Sequence, residues 1–181
     1  MILLLFPLLL PTAFALGINC RGSAFCQYGP SSLNPDIISI FVAFANGTTA
    51  ICESPPFICG PIHDTDIYAP GAHILCLPQG EYFLGGICAF TQGSVSAAGT
   101  NGTLIKQKLA ELHAHGCTLC GSVPLSGDND PDTEGILTVN YIASQVCTGV
   151  CPPTHYSAAS NGSASISAGS NDTASNSTAT A

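Results

Sequence analysis

Basic side chains are nearly missing from this chain. Arg21, Lys106 and Lys108 stand alone against eleven acidic residues, for a formal net charge of −8. So few cations argue against binding nucleic acid or an anionic membrane by electrostatics. After residue 15 there is no apolar run long enough to cross a bilayer. The terminal hydrophobic tail that a glycolipid anchor requires is missing as well. Motifs of catalysis are also scarce. There is no Gly-x-Ser-x-Gly elbow, no glycine-rich phosphate loop and no conspicuous pair of carboxylates for acid–base work. His113 and His115 are two apart and so do not share a helix face, while His63 and His73 lack a recognisable partner, so no zinc site is expected. The acidic run from Asp128 to Glu134 places acids at alternate positions like the start of a calcium loop. However, Thr133 fills the glycine position and Val139 the twelfth, so a solvated turn is expected. Catalytic, cofactor-binding and metal-binding residues are therefore all expected to be none, and no small-molecule substrate is evident.

What is present points to a leader sequence and a framework of cross-links. Residues 1–15 form an apolar run ending in Ala13, Phe14 and Ala15, the small-x-small pattern of leader cleavage, so residues 1–15 are read as a signal peptide. All ten cysteines follow that cut, which in a small secreted chain reads as a framework of five disulfides. Sequons begin at Asn46, Asn101, Asn161, Asn171 and Asn176, all glycosylation candidates. Residues 157–181 are almost entirely Ser, Ala, Asn, Gly and Thr, and bury too little apolar surface to offset chain entropy, so a disordered tail is expected. One domain remains, residues 16–156.

Within it the spacing of apolar residues predicts two helices. Ile37, Phe41 and Phe44 fall at i, i+4 and i+7 after a natural cap at Asn34 and a helix-starting Pro35, with Gly47 as the stop. Ile105, Leu109 and Leu112 form a second stripe after an expected cap at Thr103, ended by Gly116, with Lys106, Lys108 and Glu111 expected outward. Residues 16–29 fit a strand-like lead-in with Ile18 inward, and residues 50–71 a proline-rich loop. Strands are predicted over 73–77, 81–90 (with a bend at Gly85 and Gly86), 121–125 and 136–143. The last alternates Leu137, Val139 and Tyr141 against Thr138 and Asn140. Helices alternating irregularly with hairpin-like strands imply an α+β fold with a largely antiparallel sheet. Cys117 and Cys120, just past the second helix, are natural anchor points for the N-terminal pair Cys20 and Cys26.

Three blocks carry a resemblance. They are Leu16, Gly17, Ile18, Asn19, Cys20, Arg21, Gly22 and Ser23; then His115, Gly116, Cys117, Thr118, Leu119, Cys120, Gly121 and Ser122, with Pro124 and Leu125 following; then Gly135, Ile136, Leu137, Thr138, Val139, Asn140 and Tyr141. In this order they resemble the killer toxins of smut fungi, the killer protein 4 type. Gly85, Gly86, Ile87 and Cys88 and the Cys147/Cys151 ending are closer to chromosomally encoded fungal relatives. The resemblance implies an α/β sandwich, a mainly antiparallel sheet with two helices on one face. It implies bridges from Cys20 and Cys26 to Cys117 and Cys120, and from Cys76 to Cys147, leaving Cys88 with Cys151 and Cys52 with Cys59. It also implies a non-enzymatic toxin that stops the growth of fungal cells by blocking calcium uptake through a membrane channel.

This chain departs from that pattern in charge. The family toxin is basic, whereas residues 52–88 here contain neither Lys nor Arg. Arg21, Lys106 and Lys108 are the target-contact candidates. The expectation is a secreted effector that inhibits fungal or plant cells through a cell-surface or membrane protein such as a calcium channel. The alternatives are a non-toxic extracellular or wall-associated structural or self-signalling protein on the same scaffold, and a secreted hydrolase.

Overall fold

The structure, a computed structural model, describes residues 17–28, 36–48, 60–78 and 85–154. Helix α1 spans Ile37–Ala45, and its buried Ile37, Ile38, Phe41, Phe44 and Ala45 are the apolar stripe seen in the sequence. It starts at Asp36, not at the expected Asn34–Pro35 start. The Asp36 carboxylate accepts the Ser39 amide at 2.8 Å and so satisfies one of the donors that a helix start leaves open. Helix α2, Gly102–Ala114, is capped by Asn101 and not by the expected Thr103, which lies inside its first turn; Asn101 Oδ1 accepts the Leu104 amide at 2.9 Å. The chain leaves α2 through Gly116, at φ +92°.

The main sheet runs in the order β5–β6–β3–β2–β7, every neighbour antiparallel. Its strands are β2 (His73–Pro78), β3 (Gly86–Gln92), β5 (Gly121–Pro124), β6 (Ile136–Ile142) and β7 (Gly149–Val150). A second, two-stranded sheet pairs β1 (Ile67–Tyr68) with β4 (Thr100–Asn101). The tyrosine of β1 is fully buried and its hydroxyl donates to the Cys151 carbonyl at 3.1 Å. Burial, reinforced by Asp66, pushes that hydroxyl's pKa well above the usual phenol range. The acidic turn contains a single helical turn, α3 (Pro131–Glu134), and the lead-in makes one bridge, Asn19 to Ser122, before a 3₁₀ turn over Ala24–Tyr28.

Alternation along the strands separates two faces. Leu75, Leu77, Ile87, Ala89, Leu137 and Val139 meet both helices in one core, while Cys76 and Cys88 cluster on the opposite face with Cys151. A bulge between His73 and Leu75 lets the consecutive Ile74 and Leu75 both enter the core. The fold is therefore a disulfide-rich α+β fold with an antiparallel sheet and its helices packed across one face. Gly85 supplies the predicted bend. At φ +120°, a side chain there would run into the Ile142 carbonyl.

Cys20 is bridged to Cys117 and Cys26 to Cys120. The other pairings differ from expectation. Cys76 bridges Cys88, not Cys147, and Cys147 bridges Cys151, not Cys88. The reason is register. Cys76 lies directly opposite Cys88 on β2 and β3, with Cα atoms 4.1 Å apart, and Cys147 and Cys151 are brought to 5.4 Å by the turn into β7. The expected Cys52–Cys59 pair, the Asn34 cap, the 79–80 turn, the tail and the sequons at Asn161, Asn171 and Asn176 lie outside the described residues.

Candidate target-contact surface

The end of α2 and the start of the domain meet at the two long-range bridges. Cys117 and Cys120 are buried, so the chain from Cys20 to Cys26 is held against the sheet at both ends. Backbone bonds fix the approach. Asn19 and Ser122 exchange amide–carbonyl bonds at 2.9 and 2.8 Å, and the Asn19 amide side chain donates to the Ser122 hydroxyl at 2.6 Å. The amide of Arg21 donates to Asn19 Oδ1 at 3.1 Å, and that of Ser23 to Asn140 Oδ1 at 2.8 Å. Gly22 permits this closeness, since a Cβ there would lie 2.5 Å from Cys120 Cβ and 2.7 Å from Cys26 Sγ.

The loop thus has a fixed backbone and an exposed outer side. Arg21 projects there, and Phe25, 47% exposed, sits with its ring centroid 4.9 Å from that of Tyr141 on β6. An exposed arginine and an exposed aromatic carried by one bridged loop are residue types enriched in binding hot spots. Phe25, Tyr141 and Asn140 were not singled out from sequence. The available signal was Phe25's place inside the seven-residue Cys20–Cys26 span; Tyr141 and Asn140 read only as strand residues and as members of the third block.

The three cationic candidates are not brought together. Lys106, on the outer side of α2, is tied to Asp64, and its hydrogen bond and charge hold that carboxyl below the usual range. Lys108 does not face outward as expected. It is 5% exposed, on the same stripe as Ile105, Leu109 and Leu112, and its ammonium donates to Glu111 at 2.9 Å. Its long stem lies along apolar surface while the charged head reaches a partly exposed carboxylate. Among the described residues, Arg21 is the one basic side chain that is exposed and outside an ion pair with an acid.

The acidic turn spends its oxygens locally. The Asp130 amide donates to the Ser126 hydroxyl at 3.0 Å and to Asp128 Oδ1 at 3.2 Å, and Asp130 in turn accepts the Asp132 amide at 2.9 Å. Hydrogen bonds from Ser126 and the Asp130 backbone hold Asp128 below its ordinary range. Among the described residues, the side chains close enough to share an ion are His73 with Cys76 and Cys88, and Cys76 with Cys147 and Cys151. All four cysteines are committed to bridges, whereas the thiolate is the metal-binding form. Among the described residues no serine hydroxyl is hydrogen-bonded to a histidine, and His113 faces Asp36 at 3.5 Å.

Comparison with known proteins agrees with this scaffold. The Kp4 family model matches residues 3–143. The KP4 killer toxin of Ustilago maydis P4 virus is 30% identical over 136 residues, which span 75% of this chain and 87% of the toxin. The family match takes in both helices, the staple and all but the last strand of the main sheet, and the chain belongs to the Kp4 family.

Proposed function

We propose that this protein is a secreted toxin-like effector that stops the growth of a target fungal or plant cell by binding a membrane protein at its surface, a calcium channel being the target class. It acts by occupation and not by catalysis. Family membership supports the toxin-like role, and the relative's name is that of a killer toxin. The observation that carries the contact assignment is Arg21, exposed on a loop held by two bridges. A guanidinium carried on a fixed backbone suits the rings of carboxylates that line cation channels. Lys106 and Lys108 are taken up by Asp64 and Glu111 and are not contacts in this reading.

The test applies oxidised, mature protein to fungal cells and plant roots while calcium influx is recorded and external calcium is varied. Inhibition relieved by excess calcium is expected. Arg21→Ala should weaken it by about 30-fold or more, as loss of a hot-spot residue does, with Lys106→Ala near wild type. Equal potency of Arg21→Ala would remove the loop from the mechanism. A second reading has its own support: two of the three cations are neutralised, which leaves an acidic exterior unlike a basic blocker. In that reading the protein is a non-toxic extracellular or wall-associated component. An absence of any effect on growth or influx with the bridges intact would favour it.

A further inference from the structure

We infer that Asn101 is an N-glycosylation site whose first sugar settles into the recess beside it. Asn101, Gly102 and Thr103 form a sequon at the junction of β4 and α2, and Asn101 is exposed with an extended backbone (φ −81°, ψ 159°). The cap of α2 uses its Oδ1. A glycan is joined through Nδ2, so the modified side chain keeps its capping acceptor. Asn46, the other described sequon, is engaged differently, since its Nδ2 donates to the Val42 carbonyl at 2.8 Å.

Asn101 itself lines a recess of about 270 Å³, which Asn46 does not. Val95, Leu104 and Leu125 supply its apolar lining, and Thr133 and Glu134, carried by α3, supply polar groups. A pyranose ring has apolar faces and a hydroxylated edge, so it matches such a mixed lining. The volume is below the roughly 300–1,000 Å³ of pockets that enclose drug-sized ligands, which suits a single monosaccharide. Tethering brings the sugar to the recess at high effective concentration, so little intrinsic affinity is needed.

The donor is an oligosaccharide carried on a lipid pyrophosphate in the secretory pathway. Nδ2 attacks the anomeric carbon of its first N-acetylglucosamine. The N–C bond forms, the C–O bond to pyrophosphate breaks with the electron pair leaving on the lipid pyrophosphate, and one Nδ2 proton passes to the transferase base.

The test expresses the full chain with its own leader in a eukaryotic secretory host and measures occupancy by glycopeptide mass spectrometry. Asn101 should be occupied in wild type and in Thr103→Ser, and unoccupied in Thr103→Ala and in Asn101→Asp, which retains a capping carboxylate. Trimming every glycan to one N-acetylglucosamine should leave the melting temperature unchanged, and complete removal by an amidase should lower it by a few degrees. Asn101→Asp should lose that response. An unmodified Asn101 in the secreted protein overturns the site. An occupied Asn101 with no melting response, and with unchanged hydrogen exchange over residues 94–104, overturns the sugar's place in the recess.

Discussion

His73 begins β2 on the face away from the helices, with its Nδ1 buried and without a hydrogen-bond partner among the described residues. Phe90 lies beside it, ring centroids 6.3 Å apart, and the Cys76 and Cys88 sulfurs are within 4.8 Å. Burial lowers its pKa from the ordinary histidine value. The folded state therefore disfavours the proton that the unfolded chain accepts. Above about pH 6.5 both states are neutral and His73 contributes nothing to pH dependence; below it the unfolded state binds more protons and stability falls, levelling off below the folded pKa. Urea midpoints at pH 7.5 and 5.5 should show a larger drop for wild type than for His73→Phe. Equal drops would place the titration elsewhere. Lys108 offers a contrast at the same scale. Its type predicted a solvated position, yet its place at i+3 from Ile105 put it on the buried stripe, where Glu111 supplies the partner that a buried charge requires.

The helices were the most legible elements, because each carries its apolar residues at 3.6-residue spacing and meets the sheet along that stripe. Their starts were less legible. Asn34 and Pro35 formed an attractive signal, but α1 is capped by Asp36, whose other oxygen lies 3.5 Å from His113 near the end of α2. One side chain therefore serves the start of α1 and its contact with α2. Asp36→Ala should cost about 1 kcal/mol and Asp36→Asn distinctly less, because the amide oxygen still caps. Chemical denaturation would show this, and equal losses would mean that the cap contributes little. Strand β6 was legible through the alternation of Leu137 and Val139 with Thr138 and Asn140. The two-residue β1, β4 and β7 were not, since two residues carry no period and exist only through their partners. The same limit applied to Cys76 and Cys88, whose pairing depends on register across the hairpin.

At the scale of the molecule, the staple joins residues 97 and 94 apart, whereas Cys147 and Cys151 are four apart. In the chain-entropy model a bridge across the longer loop contributes about 5 kcal/mol and one across the shortest about 2. Replacing Cys20 and Cys117 with alanine should therefore lower stability well beyond the Cys147/Cys151 double replacement. It should also raise hydrogen exchange across residues 17–28. Comparable melting temperatures for the two double variants would show that packing, not the staple, holds the N-terminal loop. That outcome would also weaken the assignment of Arg21 as a rigid contact.

By itself the sequence determined the class of fold, the two helices, the principal strands and a framework of cysteines, because these follow from local periodicity and composition. The tertiary structure decided which cysteines meet on the sheet face away from the helices and which cations remain available. Both depend on residues distant in sequence. Cys76 meets Cys88 through strand register. Lys106 meets Asp64 across 42 positions, and Arg21 is left exposed because the Asn19–Ser122 bridge and the buried cysteines turn its loop outward. Such pairings follow from which surfaces pack together, and no local pattern encodes them.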